Sequence, residues 1–133
     1  MDAGMSDTPD KLLATYVTEL SIEEGGEASF RASAVIRGDC RVFRGHFPGN
    51  PVLPGAFHVW IALLVLRRLH PEPLALAAVG KARFRRQLGP HDAIVVDGKR
   101  TGADGERETW RCRIEKEGKE ASRFDLLLGK ARA

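Results

Sequence analysis

The sequence predicts an α+β fold in which one antiparallel sheet curls round a single buried helix. Three observations carry this expectation. Several runs alternate apolar and polar residues with a period of two, the signature of half-buried strands. One stretch, Ala56 to Leu69, is apolar nearly all round and holds no proline or glycine. Glycine and proline punctuate the chain so that two strands come before that stretch and four after it.

The elements follow in order. Residues 1–10, MDAGMSDTPD, read as a loose polar arm, and residues 11–133 as a single domain. Thr15 to Glu23 reads as a strand with Tyr16, Thr18, Leu20 and Ile22 on one side. Gly25-Gly26 marks a turn. In the next run Ala28, Phe30, Ala32, Ala34 and Ile36 face one way, and Ser29, Arg31, Ser33 and Arg37 mostly the other.

Pro48, Pro51 and Pro54 then recur every third residue. Each fixes its own φ and extends its predecessor, so the loop over 45–55 is stiff and not helical. The helix that follows ends in Arg67, Arg68 and His70, which suit its negative pole, and Pro71 stops it. His58 is its one polar side chain between 56 and 66. Such a helix must be enclosed by other elements. Four strand-like runs follow, at about 74–87, 92–100, 106–116 and 119–130. In the third, Trp110, Cys112 and Ile114 share a face opposite Arg111, Arg113 and Glu115. A sheet of this kind has open edges, which a second copy would cover.

Composition narrows the function classes. The formal net charge is +3, with no lysine or arginine run long enough for a polybasic tail, so nucleic acid is not expected as a partner. Cys40 and Cys112 have no metal-like spacing and read as free thiols in a reducing cytoplasm. The longest greasy stretch, Val52 to Leu66, is broken by Pro54, Gly55 and His58 and is shorter than the roughly 18–20 residues that span a bilayer. The expectation is a soluble cytoplasmic protein without membrane contact, metal or other cofactor.

The densest stretch is Gly45-His46-Phe47-Pro48-Gly49-Asn50-Pro51-Val52-Leu53-Pro54-Gly55. It resembles the signature of the bacterial (3R)-hydroxyacyl-acyl-carrier-protein dehydratases, whose fold is the hotdog fold. KARFRRQLGPHDAIVV at 81–96 is similar to that family's strand-turn-strand after the helix, and the resemblance extends over roughly 40–130. The spelling Pro51-Val52-Leu53-Pro54 is most similar to the dehydratase-like proteins of aryl polyene and related lipid pathways. The expected fold is therefore a hotdog of about six strands round one apolar helix.

The resemblance implies a mechanism. His46 is the base that takes the α-proton of a 3-hydroxyacyl thioester, and the N–H of Gly55 at the helix start holds the thioester oxygen. The product is a 2-enoyl thioester. The acyl chain lies in an apolar channel between two subunits, to which Phe47, Val52, Leu53, Pro54, Phe57 and Trp60 are expected to contribute. These roles suit the residues. Imidazole titrates near pH 6.5, a stiff loop fixes its place, and a helix N-terminus offers unpaired N–H groups to a developing enolate.

In that family an Asp or Glu on the helix, fourteen residues after the histidine and supplied by the other subunit, assists departure of the hydroxyl. Here that position is Trp60, and no Asp or Glu occurs from Phe47 to Pro71. An indole N–H only donates a hydrogen bond. A placed general acid is worth about 10²–10⁴ in rate.

Three readings stay open. His58 replaces the acid, although it lies about 200° round the helix from Trp60; Asp39, Cys40 and His91 are further candidates. Alternatively the chain is half of a heterodimer, supplying His46 and the helix start while a dehydratase partner supplies the carboxyl. Or the protein no longer dehydrates: it binds acyl chains or a carrier, or isomerises a double bond. Lys81, Arg83 and Arg85 alternate along one strand face, with Arg41, Arg44 and Arg86 nearby. They read either as a solvated face or as a basic rim for the acidic surface of an acyl carrier protein or for the phosphopantetheine phosphate. Expected partners are a carrier-protein or coenzyme A thioester and a second subunit, in a homodimer or heterodimer.

Overall fold

The computed structural model describes residues 9–43, 52–70 and 74–130. Its elements are α1 (Pro9–Leu13), β1 (Val17–Gly25), β2 (Ser29–Ile36), α2 (Gly55–Leu69), β3 (Leu74–Phe84), β4 (Ala93–Asp104), β5 (Arg107–Lys116) and β6 (Lys119–Lys130). One turn of 3-10 helix over Arg41–Phe43 precedes α2. The strands form one six-stranded sheet in the order β1-β2-β4-β5-β6-β3, every neighbouring pair antiparallel. This is the expected α+β architecture. The helix α1 is an addition: the sequence predicts a loose arm that includes residues 9 and 10 and no element over 11–14. The rest of that arm lies outside the described residues.

The sheet packs its inner face on α2. His58, Val59 and every residue from Ile61 to Leu66 are buried, because strand side chains close over them. Those side chains are the period-two sets: Phe30, Ala32, Ala34 and Ile36 from β2, Ile94 and Val96 from β4, Trp110, Cys112 and Ile114 from β5, and Phe124, Leu126 and Leu128 from β6. Phe30 and Trp110 meet with ring centroids 5.9 Å apart. Gly98 pairs with Phe30 across β2 and β4, and a Cβ at Gly98 would fall 2.2 Å from the Phe30 ring. The glycine is the space in which that ring lies.

Two strands depart from simple alternation. In β1, Glu19 has φ 54° and the register slips between Thr18 and Ser21. The irregularity puts Val17 in the core and Thr18 outside, so Tyr16, Thr18, Leu20 and Ile22 do not form the single face expected of them. In β3, Lys81 has φ 49° and the register slips between Gly80 and Arg83. The strand also ends at Phe84, before Arg85. Lys81 and Arg83 still line one hollow, but the alternation is broken between them and Arg85 lies beyond the strand. A bulge adds a residue to one strand without adding its partner, so the period shifts there.

The outer face carries a row of charges in direct cross-strand register over all six strands. From β1 it reads Glu24, Arg31, Asp97, Arg113, Arg123 and Arg83. Asp97 lies 3.5 Å from Arg31 and 3.2 Å from Arg113. Burial raises the Asp97 pKa while Arg113 beside it pulls the other way.

Candidate functional site

The start of α2 is built from extended chain. Pro54 is its N-cap (φ −60°, ψ 149°), a residue with no side-chain cap to offer. The Phe57 N–H donates to the Pro54 carbonyl at 2.9 Å, and the Leu53 N–H donates to the Leu88 carbonyl at 2.6 Å. The second bond ties the entry of the helix to the connection between β3 and β4. The first amides of α2 have no carbonyl four residues back to bond, which leaves them with helix-end partial positive charge.

Gly55 is the first helical residue. A Cβ there would lie 2.9 Å from the tip of the Phe84 ring. The space beside Gly55 is thus not open, as its lack of a side chain suggested, but occupied by an aromatic ring from the end of β3. Phe84 is 49% exposed, unusual for a phenylalanine in contact with a core helix. It also meets the His58 ring edge-on, with centroids 5.2 Å apart.

His58 is 2% exposed. Its Nδ1 lies 2.8 Å from Ser122 Oγ, and Ser122 is the ladder partner of Phe84. Burial lowers the ring's pKa to about 4, with a hydrogen bond to the Leu53 backbone opposing in part. A proton donor must first hold the proton, and at neutral pH this imidazole is neutral. Its placement is that of a satisfied core histidine, which weighs against its expected role as an alternative donor.

The other candidates divide. Trp60 is half-buried, with the Arg67 guanidinium 5.6 Å from its ring centroid. It faces away from the His58 and Ser122 pair, as their helical spacing required. Leu53 is 2% exposed and belongs to the core cluster, whereas Val52 and Pro54 are half-buried. Phe57 is half-buried against Tyr16, with centroids 5.6 Å apart. Both rings line a cleft of about 830 Å³ together with Lys11, Arg37, Cys40 and Val42. His46 and Phe47 lie outside the described residues, between Phe43 and Val52.

At the end of β3, Lys81, Arg83, Arg111, Arg123 and Asp125 line a hollow of about 310 Å³. Arg111 Nε donates to Asp125 at 3.2 Å and Arg85 Nε to Glu120 at 3.2 Å. Arg85 is thus turned away to its own acid, and Arg123 stands with Lys81 and Arg83 instead.

From the sequence Tyr16 reads only as a strand residue, and neither Phe84 nor Ser122 carries an expected site role. Phe84 had a signal, as the lone aromatic within KARFRR; Ser122 had none. Among the described residues no group of three or more His, Cys, Asp or Glu is placed to hold a metal ion. No helix among them is long and apolar enough to cross a membrane.

Comparison with known proteins agrees with this geometry. A 3-hydroxyacyl-[acyl-carrier-protein] dehydratase FabZ of Latilactobacillus sakei is 38% identical over 84 residues, covering 58% of this chain and 59% of that protein. FabZ of Thermus thermophilus is 36% identical over 83 residues, 56% of this chain and 58% of its own. The chain thus spans less than two thirds of the length of these curated relatives. Among solved structures, the dehydratase heterocomplex ApeI:P from Xenorhabdus doucetiae superposes with a TM-score of 0.70 at 18% identity, covering 86% of this chain and 98% of that one. The E. coli PaaI protein of the phenylacetic acid degradation operon gives 0.68 at 12% identity, covering 92% and 87%. Both likenesses are of fold, the hotdog fold. A family model for ApeI-like dehydratases, described as ApeI dehydratase, matches residues 22–124, and the chain belongs to that family.

Proposed function

We propose that the protein takes part in the dehydration of (3R)-3-hydroxyacyl thioesters to 2-enoyl thioesters, as one subunit of a two-subunit site. The observation that carries this reading is the Gly45–Gly55 run set directly before α2, with family membership behind it. His46 removes the C2 proton. The thioester oxygen takes up charge against the Gly55 N–H, where the helix end stabilises it. The C3–O bond breaks as the C2–C3 double bond forms. The hydroxyl leaves as water, with one proton lost at C2 and one gained by the leaving oxygen.

That last proton has no carboxyl on α2 to carry it, since the helix holds no Asp or Glu, and His58 is neutral in the core. This absence favours the composite reading: the donor comes from a second, different subunit. The free edge of β3 supports it. Leu76 and Val79 on that strand are 37% and 42% exposed, and an unpaired apolar edge is a pairing surface. The ApeI:P neighbour is itself a heterocomplex by name. Lys81 and Arg83, both exposed, serve to draw an acidic carrier protein, and Arg85 contributes less because Glu120 neutralises it.

The test is a spectrophotometric assay of 2-enoyl formation from a 3-hydroxyacyl thioester. The protein is assayed alone and mixed with a separately purified dehydratase subunit, each with wild type and His46→Ala. The expected result is little activity alone, activity in the mixture, and loss of at least about 10²-fold in His46→Ala. Full activity alone would replace the composite site with a self-sufficient one. Activity that survives His46→Ala would remove His46 as the base.

A further inference from the structure

The charge row on the outer face changes character part-way across. From β1 to β5 it alternates in sign: Glu24, Arg31, Asp97, Arg113. Beyond Arg113 the alternation stops, and Arg123 and Arg83 follow, so three arginines stand in consecutive register on β5, β6 and β3. Directly opposed like charges destabilise a sheet. Arg113 has Asp97 at 3.2 Å and Glu115 at 3.7 Å. Arg123 has only Glu120 at 3.9 Å, an acid already held by Arg85 at 3.2 Å. Arg83 and Lys81 show no ion pair among the described residues. The bulge at Lys81 sets its side chain with these arginines, and the group lines one hollow of about 310 Å³. Its fourth cation, Arg111, is matched by Asp125.

We infer that this hollow is an anion site for a dianionic phosphate, held by Lys81, Arg83 and Arg123. Lys81 and Arg83 without an ion pair, beside Arg123 held only at 3.9 Å, exceed what one carboxylate neutralises, whereas a phosphate monoester carries close to two charges at neutral pH. Arginine forks suit its oxygens in paired hydrogen bonds, and lysine adds a point charge. The anion would also lie between the opposed Arg83 and Arg123 and turn a repulsion into two attractions.

On the reading proposed above, the hollow has a purpose. Arg83 faces it while the next residue, Phe84, turns to the other side of the sheet and lies on Gly55. The anion site and the helix start are back to back at the end of β3. A carrier-bound phosphopantetheine is a singly charged diester, so on that reading the source of a dianionic phosphate is the ribose 3′-phosphate of a thioester presented on coenzyme A. A phosphate from elsewhere shares the same chemistry.

The experiment uses the full chain at matched ionic strength and needs no turnover. Inorganic phosphate is titrated against wild type, Arg83→Gln/Arg123→Gln and the surface control Lys99→Gln/Lys119→Gln, followed by ³¹P line width and by Tm. Saturable binding is expected in wild type and control, weakened at least about tenfold in the arginine variant. In phosphate-free buffer the arginine variant should melt higher than wild type, because the opposed charges are gone, and phosphate should no longer raise its Tm. Equal response in all three proteins, or no saturable binding in wild type, would overturn the site.

A second arm compares coenzyme A with dephospho-coenzyme A. Binding about tenfold tighter for coenzyme A supports the thioester source. Equal binding beside an intact phosphate response overturns that source and leaves the anion site standing. Neither arm depends on dehydration, so an inactive but phosphate-binding protein would count against the proposed function alone.

Discussion

The two edges of the sheet are made differently. At the β1 edge Glu19, Glu23 and Glu24 are exposed. At the β3 edge the strand begins LALAAVG without a charge, exposes Leu76 and Val79, and ends in cations. Both edge ladders carry two register irregularities, so the difference lies in charge: charged residues keep an edge from joining other strands, and an apolar, uncharged one invites it. The outer face tells the same story, since its charge row ends in Glu24 opposite Arg31 at β1 and in Arg83 opposite another arginine at β3. The β1 edge carries its own charges, and the β3 edge leaves apolar side chains and cations exposed.

Four experiments press on that contrast. The largest effect is expected from Leu76→Glu/Val79→Glu. It should abolish association with a second subunit, read by sedimentation, while Ser21→Glu on β1 leaves association unchanged. If both edges respond alike, the contrast fails.

Next is acid stability. His58, held against Ser122 and Phe84 at the end of β3, has a folded pKa of about 4 against the ordinary 6.5. The folded state resists protonation that the unfolded chain accepts. Stability is therefore full above about pH 6.5 and falls as pH drops towards 4, by up to about 3 kcal/mol. Urea denaturation at pH 7 and 4.5 should show a shallower loss in His58→Gln than in wild type. An identical loss would mean that another group carries the acid response.

Smaller still is the charge row. Arg123→Glu restores alternation and should stabilise by about 0.2–1 kcal/mol, whereas Asp97→Lys on the matched side should destabilise by a similar amount or more. Denaturant midpoints of the two variants should move in opposite directions.

The smallest effect compares two glycines. At Gly26, beside β1, a Cβ meets only the Ser29 carbonyl at an ordinary 3.6 Å, and Gly26→Ala should shift stability by no more than a few tenths of a kcal/mol. At Gly55 the added Cβ displaces Phe84, at a cost below about 1 kcal/mol because the exposed ring can swing aside. The informative readout there is the His58 ring signal in the NMR spectrum, which moves only in Gly55→Ala.

Most of the fold was legible in the sequence because burial imposes periods. The alternation of Phe30, Ala32, Ala34 and Ile36, and of Trp110, Cys112 and Ile114, is the inner face of the sheet. The apolar run after Gly55 is α2. What was not legible depends on single backbone angles or on contacts distant in sequence. Glu19 and Lys81 adopt positive φ without being glycine, so no residue type announces the bulges that reset β1 and β3. Ser122 reaches His58 across 64 positions of sequence. The five-residue α1 is too short for periodicity to reveal. The stiffness of the loop at His46 was argued from its prolines, and that loop lies outside the described residues.

Phe84 has one further consequence. Its ring is anchored on the strand whose edge invites a partner, yet its tip screens the first residue of the central helix. Under the two-subunit proposal, a partner seated on that edge would lie along the same strand that carries this shutter. On the two-subunit proposal, docking and exposure of the helix amide would be joined through one side chain, and dilution that separates the subunits is expected to lower activity even where every reacting group stays in place.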